Sequence, residues 1–401
     1  MVNGFLRKRS WSAPTVFLTG ATGFLGGAFL ADLLQSSYDG EVVCLVRADD
    51  DDTAEERIRR SLGRFSTARF KTTYTLPKNI KVLRGDLLSD DWHDSPQLDG
   101  VKHVLHLAAS TSFGNSRGIR TTNVGGALSV AKAMRGRNLE RFVYTGTAAI
   151  CGASPKPVVH EDDFPSEQAA HLVAYTRSKA EAERQLSEQF ADLPLVIARP
   201  SIVVGHTELG CKPSGSIFWV LRAVEALRFI TWDLENRIDV VPVDWAASAL
   251  RHLLFAPSLK HQRYHVSAGK GGSVRWKELA AEYARLRGGA SEDRYEVGGM
   301  RQLTAKRVME AAGDGHPRHL LHALELYYRF CSLDLVYDNC RLLKEGVPAP
   351  PRFTEYMRVC EESSTASIYE QMRTDLEPSL TLALGSLKTS ELGHFILRDR
   401  V

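Results

Sequence analysis

A glycine-rich turn near the start of the chain constrains the fold more than any other feature of the sequence. The segment Thr19–Gly26 reads TGATGFLG, follows a short apolar run, Thr15–Leu18, and opens a helical pattern. Gly20 permits a tight turn, Gly23 lets the backbone approach a pyrophosphate, and Gly26 allows the helix to pack closely on the strand. Because a helix N-terminus also presents free N–H groups to phosphate, the turn predicts a dinucleotide-binding site.

Short apolar runs alternate with helical patterns through the first half of the chain. The runs lack alternating polar residues, as expected for strands of a parallel sheet that is covered on both faces. The predicted strands are Thr15–Leu18, Val42–Val46, Ile80–Leu83, Val101–Leu107, Phe142–Tyr144 and Leu195–Ala198. The helical patterns between them include Phe24–Leu34, Ile119–Met134 and Ala169–Phe190. We therefore predict an α/β fold with a doubly wound, Rossmann-type parallel sheet.

The strand–helix rhythm ends after Pro200. A loop rich in Gly and Pro leads into mostly helical sequence, with short strands predicted at Ile238–Pro242 and Arg263–Val266 and with Ser273 as a helix N-cap. We predict a smaller, mostly helical C-terminal lobe that binds the substrate. The predicted division is an N-terminal tail over 1–13, a dinucleotide-binding domain over 14–205 to which 236–258 returns, and a substrate-binding lobe formed by 206–235 and 259–401.

The residues at the end of the second predicted strand indicate whether the cofactor is NAD or NADP. An NAD site places an acidic residue there to accept a hydrogen bond from the ribose 2′-hydroxyl, whereas here Arg47 is the first charged side chain. A guanidinium suits a 2′-phosphate, so we predict NADP(H), with the acidic run Asp49–Asp52 as an alternative contact for the ribose. Asp86 follows the third predicted strand and is expected to hydrogen-bond the adenine or to cap a helix.

Tyr175 and Lys179 are four residues apart in a helical pattern, so both side chains share one helix face. A phenol with a pKa near roughly 10 is a poor acid–base catalyst at neutral pH, and a neighbouring ammonium stabilises the phenolate. Thr147 follows the fifth predicted strand, where its hydroxyl is suited to hydrogen-bond a substrate carbonyl. Tyr144 and Thr145 fit that role less well because of their register.

The order of glycine turn, hydroxyl residue, Tyr-x-x-x-Lys and Arg199-Pro200-Ser201 resembles the extended short-chain dehydrogenase/reductase superfamily over roughly residues 15–270. The resemblance implies that Thr147 orients the carbonyl, that Tyr175 exchanges the proton, and that Lys179 binds the nicotinamide ribose and lowers the Tyr175 pKa. It also implies that Asn123 supports the sheet. The implied cofactor contacts are Gly20, Thr22, Gly23, Phe24, Leu25, Gly26, Arg47, Asp86, Leu87, Ala108, Ala109, Ser110, Lys179, Pro200 and Ile202.

Three features narrow the reaction within this superfamily. Sugar dehydratases place an acidic pair directly after the catalytic hydroxyl, where this chain has Ala148 and Ala149. Sugar epimerases usually retain NAD, whereas Arg47 favours a phosphate-bearing cofactor that exchanges. The segments VVCLVRA, VPVDWAASAL and YDNCRLL are similar to segments of thioester reductase domains and fatty acyl-CoA reductases.

We therefore predict an NADPH-dependent reductase that converts an acyl thioester to an aldehyde and, where a second reduction takes place, to an alcohol. The acyl substrate is expected to be a small molecule or to be bound to a carrier, either coenzyme A or an acyl carrier protein. The alternatives are a ketone or aldehyde reductase of a biosynthetic pathway, a sugar-nucleotide epimerase, a sterol dehydrogenase, and an NADP-binding regulatory protein without activity.

The remaining composition adds few constraints. The net charge of +3 gives no long-range reason to expect nucleic acid as a partner, and no apolar stretch reaches the roughly 18 residues of a membrane span. Six scattered cysteines indicate reduced thiols and a cytoplasmic protein. His316, His319 and His322 recur every three residues, but Pro317 interrupts the helix between them, so we predict no metal site. A homodimer is an open alternative to a monomer.

Overall fold

The computed structural model describes residues 13–66, 76–111, 113, 118–153, 156–288, 295–312 and 316–384. The predicted N-terminal tail therefore lies, apart from Ala13, outside the described residues. The structure is built around one large parallel sheet, with helices on both faces and a helical lobe beyond its carboxyl edge.

Seven parallel strands form the central sheet, in the spatial order β7-β6-β5-β4-β1-β2-β3. In chain order, β1 to β7 are Thr15–Thr19, Val42–Val46, Ile80–Arg84, Val101–His106, Arg141–Thr145, Leu195–Pro200 and Arg263–Val266. The strands β2 and β3 lie on one side of β1, and β4, the next strand along the chain, lies on the other side of β1. The point between β1 and β4 is thus the topological switch point, where doubly wound sheets bind their ligands. The predicted α/β, Rossmann-type fold is confirmed.

The helices follow the strands along the chain and cover both faces of the sheet. In chain order, α1 to α13 are Phe24–Gln35, Asp51–Gly63, Gly126–Met134, Ala174–Gln189, Phe218–Leu227, Val243–Phe255, Gly269–Gly272, Trp276–Leu286, Ala305–Ala312, Pro317–Cys331, Cys340–Lys344, Phe353–Ser363 and Ile368–Leu384. The core on one face contains buried apolar residues of both α1 and α6, and the core on the other face contains those of α3 and α4. Burial on both faces explains why the strands read as continuous apolar runs.

A separate hydrophobic core supports the helical lobe. It contains buried aromatic rings from α5, α8, α10 and α12, among them Trp219, Trp276, Tyr328 and Phe353. The ring of Trp232 lies 4.7 Å from that of Trp276 and 4.9 Å from that of Tyr328, measured between centroids. These rings give the lobe an apolar interior of its own.

Short strand pairs connect the lobe to the sheet. Val240–Val241 pairs with Ile202–Val203, directly after β6, and Val336–Tyr337 pairs with Val158–Val159. The strand β7, which we expected within the substrate-binding lobe, instead pairs with β6 and forms the edge of the central sheet. The division of the chain into two domains stays a prediction.

The expected role of Ser273 as a helix N-cap is wrong. Ser273 precedes the extended residues Val274–Arg275, which pair antiparallel with Arg237–Ile238. The helix α8 begins only at Trp276, and the carboxylate of Glu278 accepts the main-chain N–H of Arg275 at 2.8 Å. Strand pairing therefore delays the start of the helix.

All six cysteines are free thiols. Within the described part of the chain, no helix combines the length and the apolar character that a bilayer crossing requires. The same residues contain no group of three or more His, Cys, Asp or Glu side chains arranged to hold a metal ion.

Candidate active site

The glycine turn joins β1 to α1 at the switch point of the sheet. Gly20 has a φ of 78°, a left-handed conformation that glycine adopts without steric cost. A Cβ on Gly26 would lie 2.0 Å from the main-chain oxygen of Gly20, so only glycine allows the helix to approach the turn this closely. The N-cap of α1, Gly23, offers no side chain to the first N–H groups of the helix, which leaves them available for a phosphate. The other expected contacts in this segment are Thr22 and the first two residues of α1, Phe24 and Leu25, which pack against the core.

Arg47 lies directly after β2 with an exposed side chain, and its guanidinium is 3.8 Å from the carboxylate of Asp86. The main-chain oxygen of Arg47 accepts a hydrogen bond from the guanidinium of Arg57, on α2. Burial and then the charge of Arg47 lower the pKa of Arg57, which indicates that two guanidinium groups are close together here. The sequence analysis did not assign a role to Arg57. Its position in the helix that follows β2 could have indicated one.

The acidic run after Arg47 is engaged in local structure. Asp50 is the N-cap of α2 and accepts the main-chain N–H of Thr53 at 2.6 Å. Asp51 accepts a hydrogen bond of 3.0 Å from Arg84 at the end of β3. These two carboxylates are therefore already paired with groups of the protein.

Asp86 and Leu87 follow β3 at the same edge of the sheet. One carboxylate oxygen of Asp86 accepts the main-chain N–H of Leu88 at 2.9 Å, so the residue stabilises a local turn. Its main-chain oxygen accepts the indole N–H of Trp92 at 2.8 Å. Leu87 packs against Gly126 at the start of α3. The turn holds the Asp86 side chain beside Arg47.

The loop Ala108–Ser110 follows β4, on the other side of the switch point. The main-chain N–H of Ala108 donates to the hydroxyl of Thr19 at 3.2 Å, and this joins the loop to the end of β1. Asn123 accepts the N–H of Ser110 at 2.7 Å, donates to the Ser110 carbonyl at 3.0 Å, and donates to the Ser178 hydroxyl at 2.9 Å. Asn123 thus connects this loop to α4, rather than supporting the sheet as expected.

Thr147 and Tyr175 lie close together. Thr147 follows β5, where its hydroxyl donates to the main-chain oxygen of Pro200 at 3.3 Å and accepts the N–H of Ala149 at 3.3 Å. Tyr175 lies in the first turn of α4. Burial raises the pKa of Tyr175 to about 12, and a hydrogen bond with the Thr147 side chain lowers it in part. Ile202, two residues after Pro200, is half-buried at the same end of the sheet.

Lys179 is buried one helical turn after Tyr175. Its ammonium donates to the main-chain oxygen of Thr145 at 2.8 Å and lies 5.1 Å from the centroid of the Tyr144 ring. Burial lowers the pKa of Lys179 to about 7. The effect of Lys179 on the pKa of Tyr175, which the resemblance implied, stays a prediction.

A buried histidine lies beneath this site and was missed by sequence reasoning. His106 ends β4, and its Nδ1 lies 2.7 Å from the Thr19 hydroxyl, while its ring stacks 5.9 Å from that of Tyr144. Burial, and then the charge of Lys179, lower the pKa of His106 to about 3. The imidazole is therefore neutral and forms part of the floor of the site.

Arg199 is a structural residue. It is fully buried and forms two hydrogen bonds with the equally buried carboxylate of Glu183, at 2.6 and 3.0 Å. It also donates to the main-chain oxygens of Glu161 and Asp163. Because Glu183 belongs to α4, this pair fixes the helix that carries Tyr175 and Lys179 against β6.

Comparison with known proteins shows which family the chain belongs to. A sequence model described as male sterility protein matches residues 18–250, which is more than half of the chain. A protein of Emericella nidulans described as glycine betaine reductase is 30% identical over 268 residues, which are 63% of this chain and 21% of that protein. A putative fatty acyl-CoA reductase of Drosophila melanogaster is 26% identical over 296 residues, covering 62% of this chain and 54% of that protein.

A solved structure has a similar fold. The terminal R domain from the myxalamid PKS-NRPS biosynthetic pathway superposes with a TM-score of 0.71, at 23% identity, over 88% of this chain and 91% of that domain. The chain spans only 21% to 27% of the length of the first curated relatives that it matches.

Proposed function

Because the chain belongs to the male sterility protein family of extended short-chain dehydrogenases/reductases, and is thus an NAD(P)-dependent oxidoreductase, we propose that it reduces the carbonyl of an acyl thioester with NADPH. In this proposal Thr147, Tyr175 and Lys179 are the catalytic residues. The observation that carries it is the placement of Tyr175 beside Thr147, on α4 one helical turn before the buried Lys179 ammonium.

The cofactor assignment rests on how the residues at the switch point fit a dinucleotide phosphate. Gly26 allows α1 to pack closely on the glycine turn, and the start of α1 provides free N–H groups for the pyrophosphate. Arg47 and Arg57 bring two positive charges to the end of β2. Two guanidinium groups favour the 2′-phosphate of NADP over the bare ribose of NAD.

NADPH, when bound, supplies the hydride to the carbonyl carbon. The Thr147 hydroxyl hydrogen-bonds the carbonyl oxygen and orients it toward Tyr175. The Tyr175 hydroxyl donates its proton to that oxygen as negative charge develops there. The resulting hemithioacetal loses its C–S bond, its hydroxyl proton returns to Tyr175, and the thiolate takes a proton from solvent. The products are an aldehyde and a thiol.

Lys179 stabilises the phenolate that Tyr175 becomes when it has donated its proton. Its ammonium is fixed by Thr145 and by the face of Tyr144, so the charge is held in place before the reaction begins. A fixed charge in a buried site needs little rearrangement when the phenolate forms. The same ammonium would hydrogen-bond the ribose hydroxyls of the bound cofactor.

The thioester assignment rests on the two residues after Thr147 and on the named relatives. Ala148 and Ala149 occupy positions at which a sugar dehydratase requires acidic groups, so dehydration has no acid or base here. Among the relatives, one is described as a fatty acyl-CoA reductase, and the similar structure is the R domain of a PKS-NRPS pathway. By analogy, we propose that the acyl group arrives on coenzyme A or on a carrier protein.

The test is the stoichiometry of reduction. The protein is incubated with NADPH and a series of acyl-CoA thioesters, and NADPH oxidation, free thiol and aldehyde are measured together. We expect one thiol and one aldehyde for each NADPH oxidised, or two NADPH for each thiol where alcohol forms. NADPH oxidation with ketones or aldehydes but not with any thioester would contradict the proposal.

A further inference from the structure

Three aromatic side chains outside the proposed catalytic set form a group that contacts Tyr175 through Phe113. The ring of Phe113 is stacked 6.1 Å from that of Tyr175, with an interplanar angle of 27°. Phe113 also lies 4.7 Å from Tyr327 and 4.8 Å from Phe330, both on α10 of the lobe. We call Phe113, Tyr327 and Phe330 the aromatic wall. It continues from the proposed proton donor into the lobe.

Two contacts fix the Tyr327 ring of the aromatic wall. The Tyr327 hydroxyl hydrogen-bonds the carboxylate of Asp375, which also accepts the indole N–H of Trp219 at 3.0 Å. The Trp219 ring meets Tyr327 edge-to-face at 5.1 Å. Tyr327 is therefore held at both its ring and its hydroxyl, and it offers the site an apolar surface rather than a free polar group.

The other two rings of the wall keep accessible surface. Phe113 and Phe330 are half-buried, whereas Tyr327 is buried. The rings of Tyr175, Tyr327 and Phe330 all lie within 36° of parallel to Phe113, at separations at which aromatic rings attract one another by offset stacking. A flat apolar group placed beside Tyr175 would extend this arrangement, whereas the hydroxyls of a sugar would lose water there without finding partners.

We propose that the aromatic wall is the acyl-binding subsite and that it selects acyl groups carrying an aromatic ring over linear alkyl chains. This inference rests on the proposed thioester reduction and names its substrate class. It assigns Phe113, Tyr327 and Phe330 to recognition of the acyl group, with the thioester carbonyl held between Thr147 and Tyr175.

The test compares 3-phenylpropanoyl and nonanoyl thioesters of N-acetylcysteamine. The two acyl groups have the same number of carbons and neither has a double bond next to the carbonyl, so they differ mainly in the ring. We expect a kcat/KM roughly three- to tenfold higher for the 3-phenylpropanoyl thioester in the wild-type protein, the range that one or two stacking contacts provide. Phe330→Leu should lower the value for the 3-phenylpropanoyl thioester more than the value for the nonanoyl thioester, so that the two values come within about twofold of each other.

The matched control is Tyr328→Phe, on the same helix as Phe330. The Tyr328 hydroxyl donates to the main-chain oxygen of Phe229 within the lobe, away from the aromatic wall, so this variant should keep the preference. A measurement that needs no variant is product inhibition of the wild-type protein, in which 3-phenylpropanol should inhibit at lower concentration than 1-nonanol.

The outcomes separate the two proposals. If neither thioester is reduced, the proposed function is wrong and the subsite assignment falls with it. If both thioesters are reduced with equal kcat/KM, or if Phe330→Leu lowers both values by the same factor, the proposed function stands and the aromatic subsite is overturned. Stronger inhibition by 1-nonanol would also overturn it.

Discussion

The ammonium of Lys179 and the main-chain oxygen of Thr145 are joined by a hydrogen bond of 2.8 Å. Thr145 is the last residue of β5, so the bond attaches α4 to the carboxyl edge of the sheet. The ammonium is buried at this position, where the charged form of a lysine is less stable than it is in water. Burial lowers the pKa of Lys179 to about 7.

This pKa predicts a pH dependence of activity. As pH rises through about 7, Lys179 loses its proton and can no longer stabilise the Tyr175 phenolate, so the kcat/KM for NADPH should fall. Tyr175 does not contribute in this range, because burial raises its pKa to about 12. The measurement is the kcat/KM for NADPH, which reports the free enzyme, between roughly pH 6 and 9.

Two variants test whether Lys179 is the group whose titration changes the kcat/KM. Lys179→Arg keeps a positive charge throughout this range and should give a flatter profile at lower activity. Lys132→Arg changes an exposed lysine of α3 that is paired with Asp90, and it should leave the wild-type profile unchanged. A wild-type profile that is flat over the whole range would contradict the role given to Lys179.

The paired guanidinium groups predict cofactor discrimination. Arg47→Ala and Arg57→Ala should each weaken NADPH binding by roughly tenfold or more, the effect of losing one charge-assisted contact to phosphate. NADH binding should change little, since NADH lacks the 2′-phosphate. Cofactor fluorescence titration measures both dissociation constants. Arg60→Ala changes an exposed residue of the same helix and is the control. Equal weakening of NADPH binding and NADH binding by Arg47→Ala would contradict the assignment.

The inner strands were predictable because the sheet buries both of their faces. The run Val42–Val46 matches β2 residue for residue, and Arg263–Val266 matches β7, although its place in the sheet rather than in the lobe was not foreseen. A run of apolar residues indicates a buried strand but carries no information about which strand lies beside it. The pairing of β7 with β6 joins segments that are far apart in the chain.

His106 predicts a loss of stability in acid. An unfolded histidine has a pKa near 6.5, and burial lowers the folded pKa of His106 to about 3. Between these values the unfolded chain binds a proton that the folded protein excludes, so the free energy of unfolding falls as pH falls. At pH 5 this single group should cost about 2 kcal/mol relative to neutral pH.

Urea unfolding of His106→Gln at pH 7.5 and pH 5 measures this contribution. The variant should lose about 2 kcal/mol less than the wild type between the two pH values, because glutamine does not titrate. His322→Gln removes an exposed histidine and serves as the control. An unchanged pH dependence in His106→Gln would show that the imidazole is not held neutral.

The buried ion pair predicts a large effect on stability. Arg199→Leu leaves the carboxylate of Glu183 buried beside Arg263 alone, and the free energy of unfolding should fall by about 3–5 kcal/mol. Arg120→Ala removes the exposed partner of Glu181 on the same helix and should change stability little. Thermal unfolding distinguishes the two, and equal effects would contradict the structural role of Arg199.

The candidate site was predictable where its residues lie in local motifs. Tyr175 and Lys179 share a helix face whatever the rest of the fold, and the glycine turn is defined by its own spacing. His106 and the ring of Phe113 were not foreseen because burial and ring stacking with residues far away in the chain place them at the site. Arg57 was not foreseen because a hydrogen bond to the main-chain oxygen of Arg47 brings it there. The predicted helix Ala169–Phe190 in fact begins at Ala174, after the extended residue Val173.

The central claim is that the Tyr175 hydroxyl donates the proton that the carbonyl oxygen takes up during reduction. Tyr175→Phe keeps the ring and its contact with Phe113 but cannot donate a proton. We expect the single-turnover rate of NADPH oxidation with an acyl thioester to fall by at least about 100-fold, with the dissociation constant of NADPH unchanged. A rate within twofold of the wild-type rate would contradict the account.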